Sequence, residues 1–190
     1  WGRDCYCSGG ESNTCGLRYN QQFGDLPAGY DHKYVYSHIG YNLKVTDMQA
    51  AIGCAQLVKL DNFVAMRKAN FNRLIEILQP YQDRLILPKA TPNSDPSWFG
   101  FAITVRKDSG FVRNDLTNFL EANRIETRNL FSGNLLCHPA FTDIQRRIVG
   151  DLSNTNTIMS DTFFIGVYPG MDDPQIEHVA AVFDTFMKNR

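Results

Sequence analysis

Residues 40–60 read Gly-Tyr-Asn-Leu-Lys-Val-Thr-Asp-Met-Gln-Ala-Ala-Ile-Gly-Cys-Ala-Gln-Leu-Val-Lys-Leu, a loop that feeds a helix. Thr46 suits the N-cap because its hydroxyl can accept from a free backbone N–H, and Gln49, three residues on, can reach back to complete a capping box. Asp47 in the first turn favours the helix dipole. Met48, Ala51, Ile52, Ala55 and Val58 then recur at spacings of three and four, an apolar stripe expected to be buried. Ala50, Ala51, Gly53, Cys54 and Ala55 are small, so another backbone, or the same helix of a second subunit, can approach closely. Just before the helix, Ser37, His38, Gly40, Tyr41 and Asn42 gather hydroxyl, imidazole and amide groups where backbone N–H groups favour an anion. This loop is a candidate phosphate site.

The chain has 190 residues, long enough to bury a core. Its formal net charge of -1 argues against a nucleic-acid partner held by bulk electrostatics. No run approaches the roughly 20 apolar residues that a membrane span needs. The first residues, Trp1-Gly2-Arg3, bring neither an initiating methionine nor a secretory signal, so a piece of a longer, soluble, cytoplasmic protein is expected.

Five cysteines are unevenly placed. Cys5, Cys7 and Cys15 crowd near the start and bracket a Ser8-Gly9-Gly10 turn that would fold the thiols toward one point. Three such thiolates suit a soft metal or an iron–sulfur cluster; three free thiols on a loop is the alternative. A fourth ligand would be His32, His38 or a residue upstream. Cys54 and Cys137 read as small buried hydrophobes.

Farther on, Asp61-Asn62 breaks or recaps the helix. Phe63, Met66, Ala69, Asn70, Leu74 and Leu78 carry a second helical stripe that Pro80 ends. Leu85–Leu87, Trp98–Arg106, Ile125–Phe131 and Phe163–Val167 have strand character. Leu116, Phe119 and Leu120 mark a helix ending near Asn123, and Ile176, Val179, Ala180, Phe183 and Phe186 a final one. Arg128, in the third strand, is a planar fork able to hold carboxylate or phosphate near a ligand. Residues 132–156 are turn-rich and are expected to wrap an edge or cross to a neighbour. The pattern is α/β in class, with a small α+β sheet covered by helices.

The 40–60 stretch resembles the signature of the DegT/DnrJ/EryC1 nucleotide-sugar aminotransferases, vitamin B6 enzymes of the aspartate-aminotransferase fold. Residues 125–131 and 163–179 resemble that family's C-terminal domain. The Cys5-x-Cys7 pair with Cys15 resembles one branch, the 3-dehydrases of CDP-4-keto-6-deoxy sugars, which carry a [2Fe-2S] cluster beside the cofactor.

This resemblance implies the C-terminal part of a fold-type I PLP-dependent transferase. Residues 1–60 would be the tail of the large cofactor-binding domain, with the cysteine loop and the start of the linking helix, and residues 61–190 the small domain. It implies a homodimer using pyridoxamine 5'-phosphate (PMP) to remove the C3 hydroxyl of a CDP-4-keto-6-deoxy sugar. A flavin and iron–sulfur reductase would supply the electrons. Cys5, Cys7 and Cys15 would be three of four cluster ligands. Asn42 would reach the cofactor phosphate across the dimer, with Tyr41 and His38 beside it. The catalytic histidine and the fourth cysteine are expected upstream of Trp1, leaving this stretch inactive alone. A plain sugar aminotransferase, or a non-catalytic metal-binding or structural piece, are the competing readings.

Overall fold

The computed structural model describes Cys5, Cys7 and residues 13–190. The chain divides into two compact units, Trp1–Leu57 and Val58–Arg190.

In the first unit a 3-10 turn, His32–Tyr34, precedes helix α1, Asp47–Leu57. The α1 capping box forms as its residues dictate: the Thr46 backbone N–H donates to Gln49 Oε1 at 2.9 Å, and Gln49 N–H donates to Thr46 Oγ1 at 3.4 Å. The expectation that the apolar stripe is buried is not met within this chain. No residue of α1 is buried; Met48 is 80% and Ile52 65% exposed. Cys54, also expected to be buried, is exposed with them. Helical spacing identifies an apolar face, but it does not say whether the surface that covers it belongs to the same stretch of chain.

The second unit holds the core. Helix α2, Leu60–Leu78, turns Asn70, Phe71, Leu74 and Leu78 inward. It starts just after Val58–Lys59, earlier than the Asp61-Asn62 break expected, and Pro80 lies in the 3-10 turn that follows it. Strands β1 (Leu85–Ile86), β2 (Gly100–Val105), β3 (Thr127–Asn129) and β4 (Thr162–Gly166) form an antiparallel sheet in the order β1-β2-β4-β3. Alternation along β2 sends Phe101, Ile103 and Val105 to one face, where Phe163 and Ile165 of β4 join them. That face shares its core with α2, α3 (Arg113–Ala122) and α5 (Asp173–Lys188). Phe71 stacks on Trp98 with ring centroids 4.2 Å apart, and Phe111 meets Phe186 edge to face at 4.9 Å.

The segment read as turn-rich, 132–156, ends inside a helix, α4, Ser153–Asp161. Its Ser-Asn-Thr-Asn-Thr start is poor in helix formers, so tertiary contacts hold it. Asn134 Nδ2 donates to Asn156 Oδ1 at 2.8 Å, and Arg113 Nη1 donates to the Met159 carbonyl at 2.7 Å. At Gly133, whose φ is +69°, a Cβ would stand 2.7 Å from Met159 Cγ, so only glycine lets the loop lie this close to α4. Cys137 is exposed rather than buried.

Candidate functional site

The loop after Asn13 is built by hydrogen bonds that bring donors to sulfur. Asn13 and Gly16 both have positive φ, and the turn between them closes with Gly16 N–H donating to the Asn13 carbonyl at 3.0 Å. This turn carries Thr14 toward Cys7, so that Thr14 Oγ1 donates to Cys7 Sγ at 3.2 Å. Leu17 N–H donates to Cys15 Sγ at 3.4 Å. The Thr14 hydroxyl above all, helped by backbone donors and by Cys5, brings the Cys7 thiol down to about 7.

A second layer lies behind Cys15. Arg18 Nε and Nη2 both donate to Asp31 Oδ2, at 2.9 and 2.6 Å, while Asp31 Oδ1 accepts from Lys33 N–H at 3.1 Å. The Arg18 guanidinium holds the Asp31 carboxyl below the usual carboxylate range. His32 N–H donates to the Arg18 carbonyl at 3.1 Å, and its imidazole, 6% exposed, stands with Nδ1 3.3 Å from the Leu17 carbonyl and Nε2 4.0 Å from Cys15 Sγ. Sequence reading had no signal for Thr14, Leu17, Arg18 or Asp31, because their roles depend on how the loop folds back on itself.

The expected convergence of all three thiols is not seen. Among the described residues no group of three or more His, Cys, Asp or Glu stands close enough to hold a metal ion. Cys15 stands instead beside the His32 imidazole, and Cys5 makes a minor contribution to lowering the Cys7 thiol. The Ser8-Gly9-Gly10 turn lies outside the described residues. The donor chemistry still fits an iron–sulfur group: soft ligands, one of them already near neutrality, with N–H and O–H donors aimed at two sulfurs.

The candidate phosphate loop is open. Tyr41 is 88% exposed, and Asn42, also exposed, adopts φ +57°. His38 Nδ1 lies 3.3 Å from Ser37 Oγ. The stretch runs directly into the capped start of α1.

In the second unit, a cavity of about 680 Å³ is lined by Phe99, Phe164, Tyr168, Arg124, Arg128 and His178, among others. Arg128 is exposed, as a strand cation usually is, and its fork is taken by Glu126. His178 Nε2 lies 2.8 Å from the Asn123 carbonyl.

Residues 18–184 match the DegT/DnrJ/EryC1/StrS aminotransferase family. The chain is 54% identical over 186 residues to the lipopolysaccharide biosynthesis protein RfbH of Salmonella typhimurium, covering 98% of this chain and 43% of that protein. It is 50% identical over 187 residues to dTDP-4-dehydro-2,6-dideoxy-D-glucose 3-dehydratase of Saccharopolyspora spinosa, covering 98% and 40%. Among solved structures, E. coli GDP-4-keto-6-deoxy-D-mannose-3-dehydratase with bound hydrated PLP superposes with a TM-score of 0.72 at 26% identity, over 80% of this chain and 38% of that one. The chain thus spans less than half the length of these relatives.

Proposed function

Because the chain belongs to the DegT/DnrJ/EryC1/StrS aminotransferase family, we propose that it is the C-terminal portion of a PMP- and [2Fe-2S]-dependent CDP-4-keto-6-deoxy-glucose 3-dehydrase. The whole enzyme removes the C3 hydroxyl in making 3,6-dideoxyhexoses for lipopolysaccharide O-antigen. The observation that carries this reading is 54% identity across nearly all of the chain to a lipopolysaccharide biosynthesis protein, combined with a cysteine loop whose sulfurs receive built-in donors.

When bound, PMP supplies an electron sink next to the sugar's C3, and the cluster supplies single electrons passed on from a flavin and iron–sulfur reductase. Within this chain, Cys5, Cys7 and Cys15 provide three of the four cluster ligands. Thr14 and Leu17 hold the Cys7 and Cys15 sulfurs through O–H and N–H donors, which favour a reduced, more negative cluster. Asn42 holds the cofactor phosphate of the partner subunit in a homodimer, with Tyr41 and His38 beside it. The catalytic histidine and the fourth cysteine belong to the part of the relatives' length that this chain does not span. On this reading residues 1–60 end the large cofactor-binding domain, residues 61–190 are the small domain, and the enzyme works in the cytoplasm.

The test is iron, acid-labile sulfide and visible absorption of the full-length chain purified without oxygen. Two irons and two sulfides per chain are expected; zinc, or no metal, would remove the cluster from this account.

A further inference from the structure

Resting on the reading that Cys5, Cys7 and Cys15 hold a cluster, we propose that His32 is a positioning residue for Cys15, setting where its sulfur is presented. The Leu17 carbonyl can only accept, so a ring hydrogen lies on Nδ1, 3.3 Å away, and this anchor sets the plane of the ring and leaves Nε2 4.0 Å from Cys15 Sγ. Anchoring one ring nitrogen on a backbone carbonyl fixes the orientation of the other.

Leu17 therefore acts on this sulfur twice. Its N–H donates to Cys15 Sγ at 3.4 Å, and its carbonyl orients the imidazole that stands on the same sulfur. His32 is held in turn through its own N–H to the Arg18 carbonyl, and Arg18 clamps Asp31, the residue before it. A buried histidine is most often a satisfied core group. Here the residue is 6% exposed, and Nε2 has no partner among the described residues except a sulfur from the cysteine triplet.

The experiment uses the full-length chain, prepared without oxygen, as wild type, His32→Ala and His32→Gln. Each is read by iron retention against a chelator and by EPR of the reduced cluster, including nitrogen couplings. In His32→Ala iron is lost roughly tenfold faster, as for other outer-shell partners of metal ligands, and the g-values shift. His32→Gln, which can still donate to the Leu17 carbonyl, recovers part of both, and it carries the test where His32→Ala lowers the thermal midpoint. Wild-type retention and g-values in both variants would overturn the proposal. So would a nitrogen coupling in wild type that disappears in the variants, because His32 would then be a ligand. A wild-type chain without iron or sulfide would overturn the cluster reading itself and this proposal with it.

Discussion

Thr14 Oγ1 donates to Cys7 Sγ at 3.2 Å, so one hydroxyl sets the character of one thiol. In the metal-free chain this contact is the largest influence bringing Cys7 to about 7, below the roughly 8.5 of an ordinary thiol. Alkylation of Cys7 by iodoacetamide should therefore rise as pH passes about 7. In Thr14→Val the rise should move to higher pH. Mass spectrometry of the Cys7 peptide across a pH series checks this; an unchanged profile would mean that the hydroxyl is not the cause.

The Arg18–Asp31 clamp makes a pH prediction of the opposite reach. The Asp31 value is lowered in the folded chain, by Arg18 first, so its contribution is fully present above the ordinary carboxylate range and is lost as pH falls through the lowered value. In Arg18→Gln that loss should begin at higher pH. The Lys33 amide, which donates to Asp31 Oδ1, is the NMR reporter.

In the second unit, Leu74 is fully buried between α2 and the sheet. Leu74→Ala should destabilise this unit by about 2–5 kcal/mol, from lost transfer free energy and the cavity left behind. Asn70 Nδ2 donates to the Tyr168 carbonyl at 3.0 Å, joining α2 to the turn before α5. Asn70→Ala should cost about 0.5–1.5 kcal/mol by removing that bond, since the Tyr168 carbonyl keeps the Met171 N–H at 3.3 Å. Denaturant unfolding followed by circular dichroism reads both.

The proposed function assigns Asn42 to the cofactor phosphate of a partner subunit. Asn42→Ser in the full-length enzyme should remove one hydrogen bond of about 1 kcal/mol, weakening cofactor retention roughly fivefold. Equilibrium dialysis of the cofactor checks it, and unchanged retention would take Asn42 out of the site.

Local rules were legible and distant ones were not. The Thr46–Gln49 box follows from residues three apart, and it forms; the Asp172–Gln175 box at α5 has the same spacing but went unread. Strand β2 was readable because Phe101 and Ile103 alternate with small residues, and its bounds came out narrower, Gly100–Val105. Strand β3 shrank to Thr127–Asn129, since strand propensity at Ile125 and Phe131 cannot create a ladder partner. Helix α4 escaped notice because Asn134, Arg113 and Gly133, up to 46 residues away, hold a weak helical sequence in place. At the cysteine loop the metal-suited residue types were readable, and His32 was among the candidate ligands. Its place beside Cys15 depends on the turn at Asn13–Gly16 and on the Arg18–Asp31 clamp, which no spacing announces.

The most direct test of the central claim is the product made by the full-length enzyme from a CDP-4-keto-6-deoxy sugar with PMP and a flavin and iron–sulfur reductase, identified by mass and NMR. The account predicts a sugar that has lost its C3 oxygen, with that loss abolished in Cys15→Ala. A C4 amino sugar, formed equally well by Cys15→Ala, would contradict it and make the protein an aminotransferase whose cysteine loop serves another purpose.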